Sequence, residues 1–263
     1  MKNSMLFIAL TAVLALVVMP ANVQAQGIHP EIIADTTTGN RVGTHMAAGG
    51  GWYTFIILTN LGTTVAVYTL KFYGDSGSPQ AFPFKNTGTQ QDLGTQSVLT
   101  GTIPVGGLVS IKARDTAPTT TTGWMLIDPS STGNIGGALV FGYQTGQQAV
   151  VPIETSSNQK FVLFFDNSGG NVMGVALVNP QTHAVVVNVV FRDLNGVTLL
   201  SDHVTMSPLE HTSFILATRY PGLAGQAGTA LISTDSSADA VAALGILANS
   251  VGAYTTVFTL AAQ

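Results

Sequence analysis

The chain is 263 residues long and sets 9 Lys and Arg against 13 Asp and Glu, for a net charge of −4. Cations this few and this scattered form no basic stripe that could displace phosphate counterions, which argues against a nucleic-acid partner and an anionic membrane surface. Charged residues are 8% of the chain where ~25% is usual, yet 46% are hydrophobic. That balance describes a neutral polar surface over a packed core and excludes a solvated, disordered coil.

The amino terminus reads as an export signal. Lys2 precedes an apolar run over 5–19 that holds one Thr, Pro20 follows, and Val23-Gln24-Ala25 offers the small residues a signal peptidase needs, so cleavage is expected after Ala25. The run is shorter than the ~20 residues of a membrane-spanning helix and no second run follows, so no stable membrane insertion is expected. Cys is absent although the destination is oxidising, so apolar cores must hold the fold without disulfides. The expected location is secreted, periplasmic or on the cell surface of a bacterium.

The rest of the chain repeats itself. Residues 52–77 overlie 171–196 without gaps: Asn60 falls on Asn179, Phe72 on Phe191 and Gly77 on Gly196. Upstream, Arg41 meets Lys160 in the same register. Downstream, Pro104 meets Pro208, and 123–139 matches 228–244. The shared phase of Asn, Gly and Pro points to duplication. The copies differ mainly in the loop 78–103, which is much longer than its counterpart.

Both copies have strand periodicity. Ala66, Tyr68, Leu70 and Phe72 alternate with Val67, Thr69 and Lys71, and Val185, Val187, Val189 and Phe191 alternate with Val186 and Asn188. Asp75-Ser76-Gly77 and Leu194-Asn195-Gly196 then supply hairpin-turn chemistry. About seven short strands per ~110 residues is the pattern of an antiparallel sandwich. The predicted fold class is therefore all-β, with two duplicated antiparallel β-sandwich modules in tandem after a cleaved signal peptide. Residues 1–25 are the signal, 26–149 the first module with its long loop 78–103, and 150–263 the second. Val150 to Ile153 aligns with the end of one copy and the start of the other, which leaves no flexible linker.

Through Thr59-Asn60-x-Gly62-Thr63 and Phe72-Tyr73-Gly74-Asp75-x-Gly77 the arrangement resembles the tandem immunoglobulin-like sandwich modules of secreted bacterial proteins. The resemblance covers most of the chain beyond the signal. It implies a fold and an extracellular or surface setting, and no activity.

Few residues offer chemistry. Gly74-Asp75-Ser76-Gly77-Ser78-Pro79 is similar to the nucleophile loop of trypsin-like serine proteases, but only His29, His45 and Asp35 stand upstream to complete a triad, so a turn is expected. Asp193-Leu194-Asn195-Gly196 is read as a hairpin turn rather than a calcium loop. The five His show no metal-ligand spacing and are expected at the surface or in turns. Asn60 and Asn179 are expected to hydrogen-bond turning backbone.

Trp52 and Trp124 have no aromatic counterpart in the second copy, so they are candidates for binding a sugar ring or a protein partner, or for sealing a rim or inter-module contact. Phe82 and Phe84 lie in the long loop, which is expected to cover a sheet edge or dock a partner. No cofactor is expected. The leading functional expectation is a non-catalytic structural, adhesive or assembly module of the envelope or extracellular matrix, with possible self-association. The alternative is a glycan- or protein-binding module that uses the aromatic residues of the first module.

Overall fold

The computed structural model describes residues 40–156, 160–236, 238–250 and 252–262. The expected signal peptide and its cleavage site lie outside the described residues. Every described residue belongs to one compact unit, and the described chain is all-β with antiparallel sheets.

Alternation of apolar and polar side chains sets most of the strands. In order they are β1 (Asn40–Ala48), β2 (Trp52–Asn60), β3 (Ala66–Tyr73), β4 (Phe82–Asn86), β5 (Asp92–Gln96), β6 (Val98–Ile103), β7 (Leu108–Ala113), β8 (Thr121–Ile127), β9 (Ile135–Tyr143) and β10 (Gln148–Ser156). There follow β11 (Lys160–Asp166), β12 (Val172–Val178), β13 (Val185–Asp193), β14 (Thr198–Met206), β15 (His211–Ile215), β16 (Ala227–Thr234), β17 (Ala242–Ala248), β18 (Tyr254–Val257) and β19 (Leu260–Ala261). One helical turn, α1 (Leu216–Arg219), follows β15.

One set of neighbours is met twice. Strands β1-β8-β3-β6 pair in that order, as do β11-β16-β13-β14, and β7-β2-β9-β10 is matched by β15-β12-β17-β18. Strand β10 turns a corner: 148–152 pair with β9, and from Ile153 onward it pairs with β1, which joins the first half into one ten-stranded sheet. In the second half that corner is broken into β18, on β17, and β19, on β11. Strand β10 therefore pairs along its length with strands of the first half.

Local details repeat as well. The buried Asn60 donates to the carbonyls of Thr64 (2.7 Å) and Ile103 (3.0 Å) and accepts from the Gly62 N–H (2.9 Å). Asn179 donates to His183 (2.9 Å) and Met206 (3.3 Å) and accepts from Gln181 (3.0 Å). Each amide ties a strand end to the turn beyond it. Likewise a Cβ on Gly123 would stand 2.3 Å from the Tyr73 carbonyl oxygen, and one on Gly228 would stand 1.9 Å from that of Arg192. At both places two strands approach too closely for any other residue.

The first core holds Phe72, Leu70, Ile56, Leu58, Met125 and Leu139, and the second holds Phe191, Val187, Val189, Leu163 and Ile232. The long loop of the first half is a hairpin. Strand β4 pairs with β7 and β5 with β4, so the segment covers the sheet edge. Phe82 and Phe84 are fully buried and pack on Phe72, at ring-centroid distances of 6.1 and 4.7 Å. Their rings thus fill the core, which corrects the expectation that they meet a partner.

Truncating Phe72 or Phe191 to Ala is expected to cost about 3–5 kcal/mol each through cavity formation. Urea unfolding measures this, and a loss under about 1 kcal/mol at either site would contradict the burial described.

Candidate functional site

The second half offers the first an unusual surface. Along β12, Met173, Val175 and Leu177 face the second core, while Ala176 joins the first core and Val178 joins a third cluster. Along β17, Ala243 faces the second core, Leu244 the first, and Ala242 the third. This sheet is apolar on both faces and is covered on both. The third cluster is the seam, made of Val42, Trp124 and Leu126 from the first half with Val178 and Ala242 from the second.

Trp124 is fully buried there, and its indole N–H donates to the Leu209 carbonyl across the seam at 3.0 Å. Leu209 holds φ at 59°, a left-handed conformation costly for a branched side chain, within the loop that meets the first half. Of the two readings of Trp124, sealing the contact between halves is the one its geometry fits.

The turn after β3 presses on the same loop. Gly77 has φ of +77°, and a Cβ on it would lie 2.3 Å from the Pro208 carbonyl oxygen. Asp75 reaches across: its carbonyl accepts from the His211 N–H (3.2 Å), and its carboxylate accepts from His211 Nδ1 (2.7 Å) and the Thr122 hydroxyl (3.1 Å). The His211 hydrogen bond above all, with help from Thr122, holds the Asp75 carboxyl below the usual carboxylate range.

His211 Nε2 lies 3.2 Å from Nδ1 of His45, with the two rings stacked at 5.3 Å. Burial, and next the neighbouring His211, pull the His45 imidazole down to about 3, against a weaker opposing pull from Asp75. His45 is therefore neutral at physiological pH. Ser76, by contrast, is exposed, and the nearby imidazole is engaged by Asp75. The Gly-Asp-Ser-Gly sequence works here as a turn that docks one half on the other.

His45 also lines a groove of about 440 Å³ between the halves. The first half contributes Trp52 and Phe141, and the second contributes Tyr254, Val175, Ile215 and Ile246. Phe141 stacks on Trp52 (5.6 Å) and on Tyr254 (5.4 Å), and the Tyr254 hydroxyl donates to the Gln147 carbonyl at 2.8 Å. Burial raises the Tyr254 phenol to about 12, so it stays protonated. Thr120, Thr122 and Ser213 are the other polar groups at the groove, and no charged side chain lines it.

Trp52 is thus the one sequence candidate at the groove. Sequence reasoning missed the residues around it: His45 and His211 are 166 positions apart, and Asp75 and His211 are 136 apart. No local spacing could have joined them. His183 pairs with Asp239 at the surface (2.8 Å), and Asp193 accepts from the N–H groups of Asn195 and Val197, as a turn residue does. Among the described residues no group of three or more His, Cys, Asp or Glu could hold a metal ion, and no helix is long and apolar enough to cross a membrane.

No family model, curated protein or solved structure matches the chain.

Two outcomes follow from this geometry. A fluorophosphonate probe is expected to leave Ser76 unlabelled in the folded protein, because only an activated Ser reacts readily; labelling at Ser76 would overturn the turn assignment. For His45 the sign is as follows. Its folded value of about 3 lies below its ordinary 6.5, so the unfolded chain binds the extra proton. The stability from keeping the ring neutral is full above 6.5 and is lost as pH falls through that window. Thermal unfolding at pH 7 and pH 4.5 is expected to show a fall in midpoint that shrinks in His45→Phe. An equal fall in both proteins would contradict the assignment.

Proposed function

We propose that the protein is a non-catalytic, exported binding protein of the bacterial envelope or extracellular matrix, and that it captures its ligand in the groove between two duplicated β-sandwich modules of immunoglobulin-like kind. The twice-met strand order, the paired Asn60 and Asn179 networks and the paired glycine contacts support the duplication. The carrying observation is that residues from both halves meet in one concave, largely apolar space with Trp52 at its wall. Such a space, with a few polar groups converging on it, is the usual form of a binding site.

A titratable cluster alone does not make an enzyme. Asp75 and His211 satisfy each other, and neither ring is hydrogen-bonded to a hydroxyl nucleophile. The arrangement supports positioning of the two halves and of His45. A structural or adhesive role is compatible with this reading, since adhesion requires only that the groove hold something fixed in the surroundings.

Self-association is a second reading, favoured by one observation. Strand β14 is the outermost strand of its sheet and runs over nine residues with Leu199 exposed, and such an edge is open to pairing with another copy.

Retention of the purified protein on bacterial envelope preparations tests the first reading. Trp52→Ala and Ser213→Glu, which alter the groove, are expected to reduce retention at least about tenfold, as loss of a central aromatic anchor does. Leu194→Ala, on an exposed turn, is expected to leave it unchanged. Retention equal to the parent in both groove variants would overturn the groove as the binding site. Solution size that grows with concentration in all of them would then favour assembly.

A further inference from the structure

The groove's lining narrows what it can hold. Besides the His45 imidazole its aromatic residues are Trp52, Phe141, Phe214 and Tyr254, and its aliphatic ones include Ile215 and Ile246. Phe141 packs on Trp52 at 27° and on Tyr254 at 15°, and Trp52 meets Tyr254 directly at 6.0 Å and 40°, so the three rings form one mutually touching aromatic cluster in the groove wall.

Charge on the ligand is disfavoured for separate reasons. An anion would find no Lys or Arg in the lining, and the Asp75 carboxylate stands behind His211. A cation would find Asp75 already occupied by His211 and Thr122. Either ion would lose its water without a partner, which is costly. A sugar, with a hydroxyl on nearly every carbon, would leave most of those groups unpaired against Thr120, Thr122, Ser213 and His45.

One polar atom is poised for a ligand. His45 turns Nδ1 to His211, and among the described residues nothing pairs with its Nε2. Asp75 accepts from His211 Nδ1, so a neutral His211 presents Nε2 as an acceptor, His45 donates from Nδ1, and His45 Nε2 is left as an acceptor. A protonated His211 reverses the chain and makes His45 Nε2 a donor. A hydroxyl can complete either state, since it both donates and accepts.

We propose, building on the reading of the groove as the binding site, that its ligand is an uncharged, flat, apolar molecule bearing a hydroxyl, in chemical class an aromatic alcohol. The ring lies against the Trp52–Phe141–Tyr254 cluster and the aliphatic lining, and the hydroxyl meets Nε2 of His45. The chain of Thr122, Asp75, His211 and His45 makes this contact a by-product of the same hydrogen bonds that clasp the two halves.

Calorimetric titration of the full chain with 2-naphthol, naphthalene, 2-naphthoate and a naphthyl trimethylammonium salt tests the proposal. 2-Naphthol is expected to bind at least about tenfold more tightly than either ion, because each ion must be desolvated without a partner. It is also expected to bind several-fold more tightly than naphthalene, and His45→Phe should abolish that second difference while leaving naphthalene binding in place. Ser213→Glu and Trp52→Ala should each weaken 2-naphthol; both are chosen because these side chains are only partly buried or exposed, so the fold is expected to survive them. Binding of an ion as tight as 2-naphthol, a 2-naphthol affinity unchanged in both groove variants, or no binding up to the solubility limit would overturn the proposal. If 2-naphthol fails while the groove variants still lose envelope retention, the ligand class is wrong and the groove remains the site. If both fail, the groove reading falls as well.

Discussion

Strands β12 and β17 have no polar face, and the arrangement of the molecule depends on that constraint. Met173, Val175 and Leu177 need one cover, and Ala176 and Val178 need another, as do Ala243 on one side of β17 and Ala242 with Leu244 on the other. A single pair of facing sheets hides only one face of each. The exposed remainder would be a contiguous apolar patch of the kind monomeric proteins rarely leave in water. Stacking the first half on the second removes it, and at ~25 cal/mol per Å2 of apolar area the seam contributes in proportion to the surface it hides. The small side chains Ala176 and Ala242 allow the close approach.

The polar contacts of the seam add direction to this non-directional force. Trp124 reaching the Leu209 carbonyl and Asp75 reaching His211 fix where one half sits on the other. A buried indole N–H without a partner costs about 1–3 kcal/mol, so slippage of the halves is opposed even where apolar contact would tolerate it. The groove is what remains where the two surfaces diverge. Its walls belong to different halves, so its shape is held only as firmly as the seam, and His45 sits at the point where the hydrogen-bonded chain meets the open space.

Much of the fold was legible in the sequence because it is carried by local signals. The alternation in 66–72 and 185–191, the matched Asn60 and Asn179, and the turns at Gly77 and Gly196 lie within short windows and reappear as strands, strand-end ties and turns. Other features were legible only in part. The continuous apolar runs in β12 and β17 are what a sheet buried on both faces requires, but a run of this kind does not say which surface covers each face. Phe82 and Phe84 alternate around Pro83, which is the mark of a strand with one face inward, and they entered the core accordingly.

The site itself was hardly legible. Trp52 was recognisable as an aromatic without a counterpart, but Phe141 and Tyr254 look like ordinary strand residues, and the His45–His211–Asp75 chain joins three distant segments. Such contacts are fixed by how the halves stack, which no short window encodes. The measurement that tests the stacking most directly is native-state hydrogen exchange, followed segment by segment. If the seam binds the halves into one unit, the amides of β8 and of β12 and β17 exchange only through global unfolding, with one common free energy. If β12 and β17 exchange through a separate opening that leaves β8 protected, the halves are independent and the account of the groove fails with them.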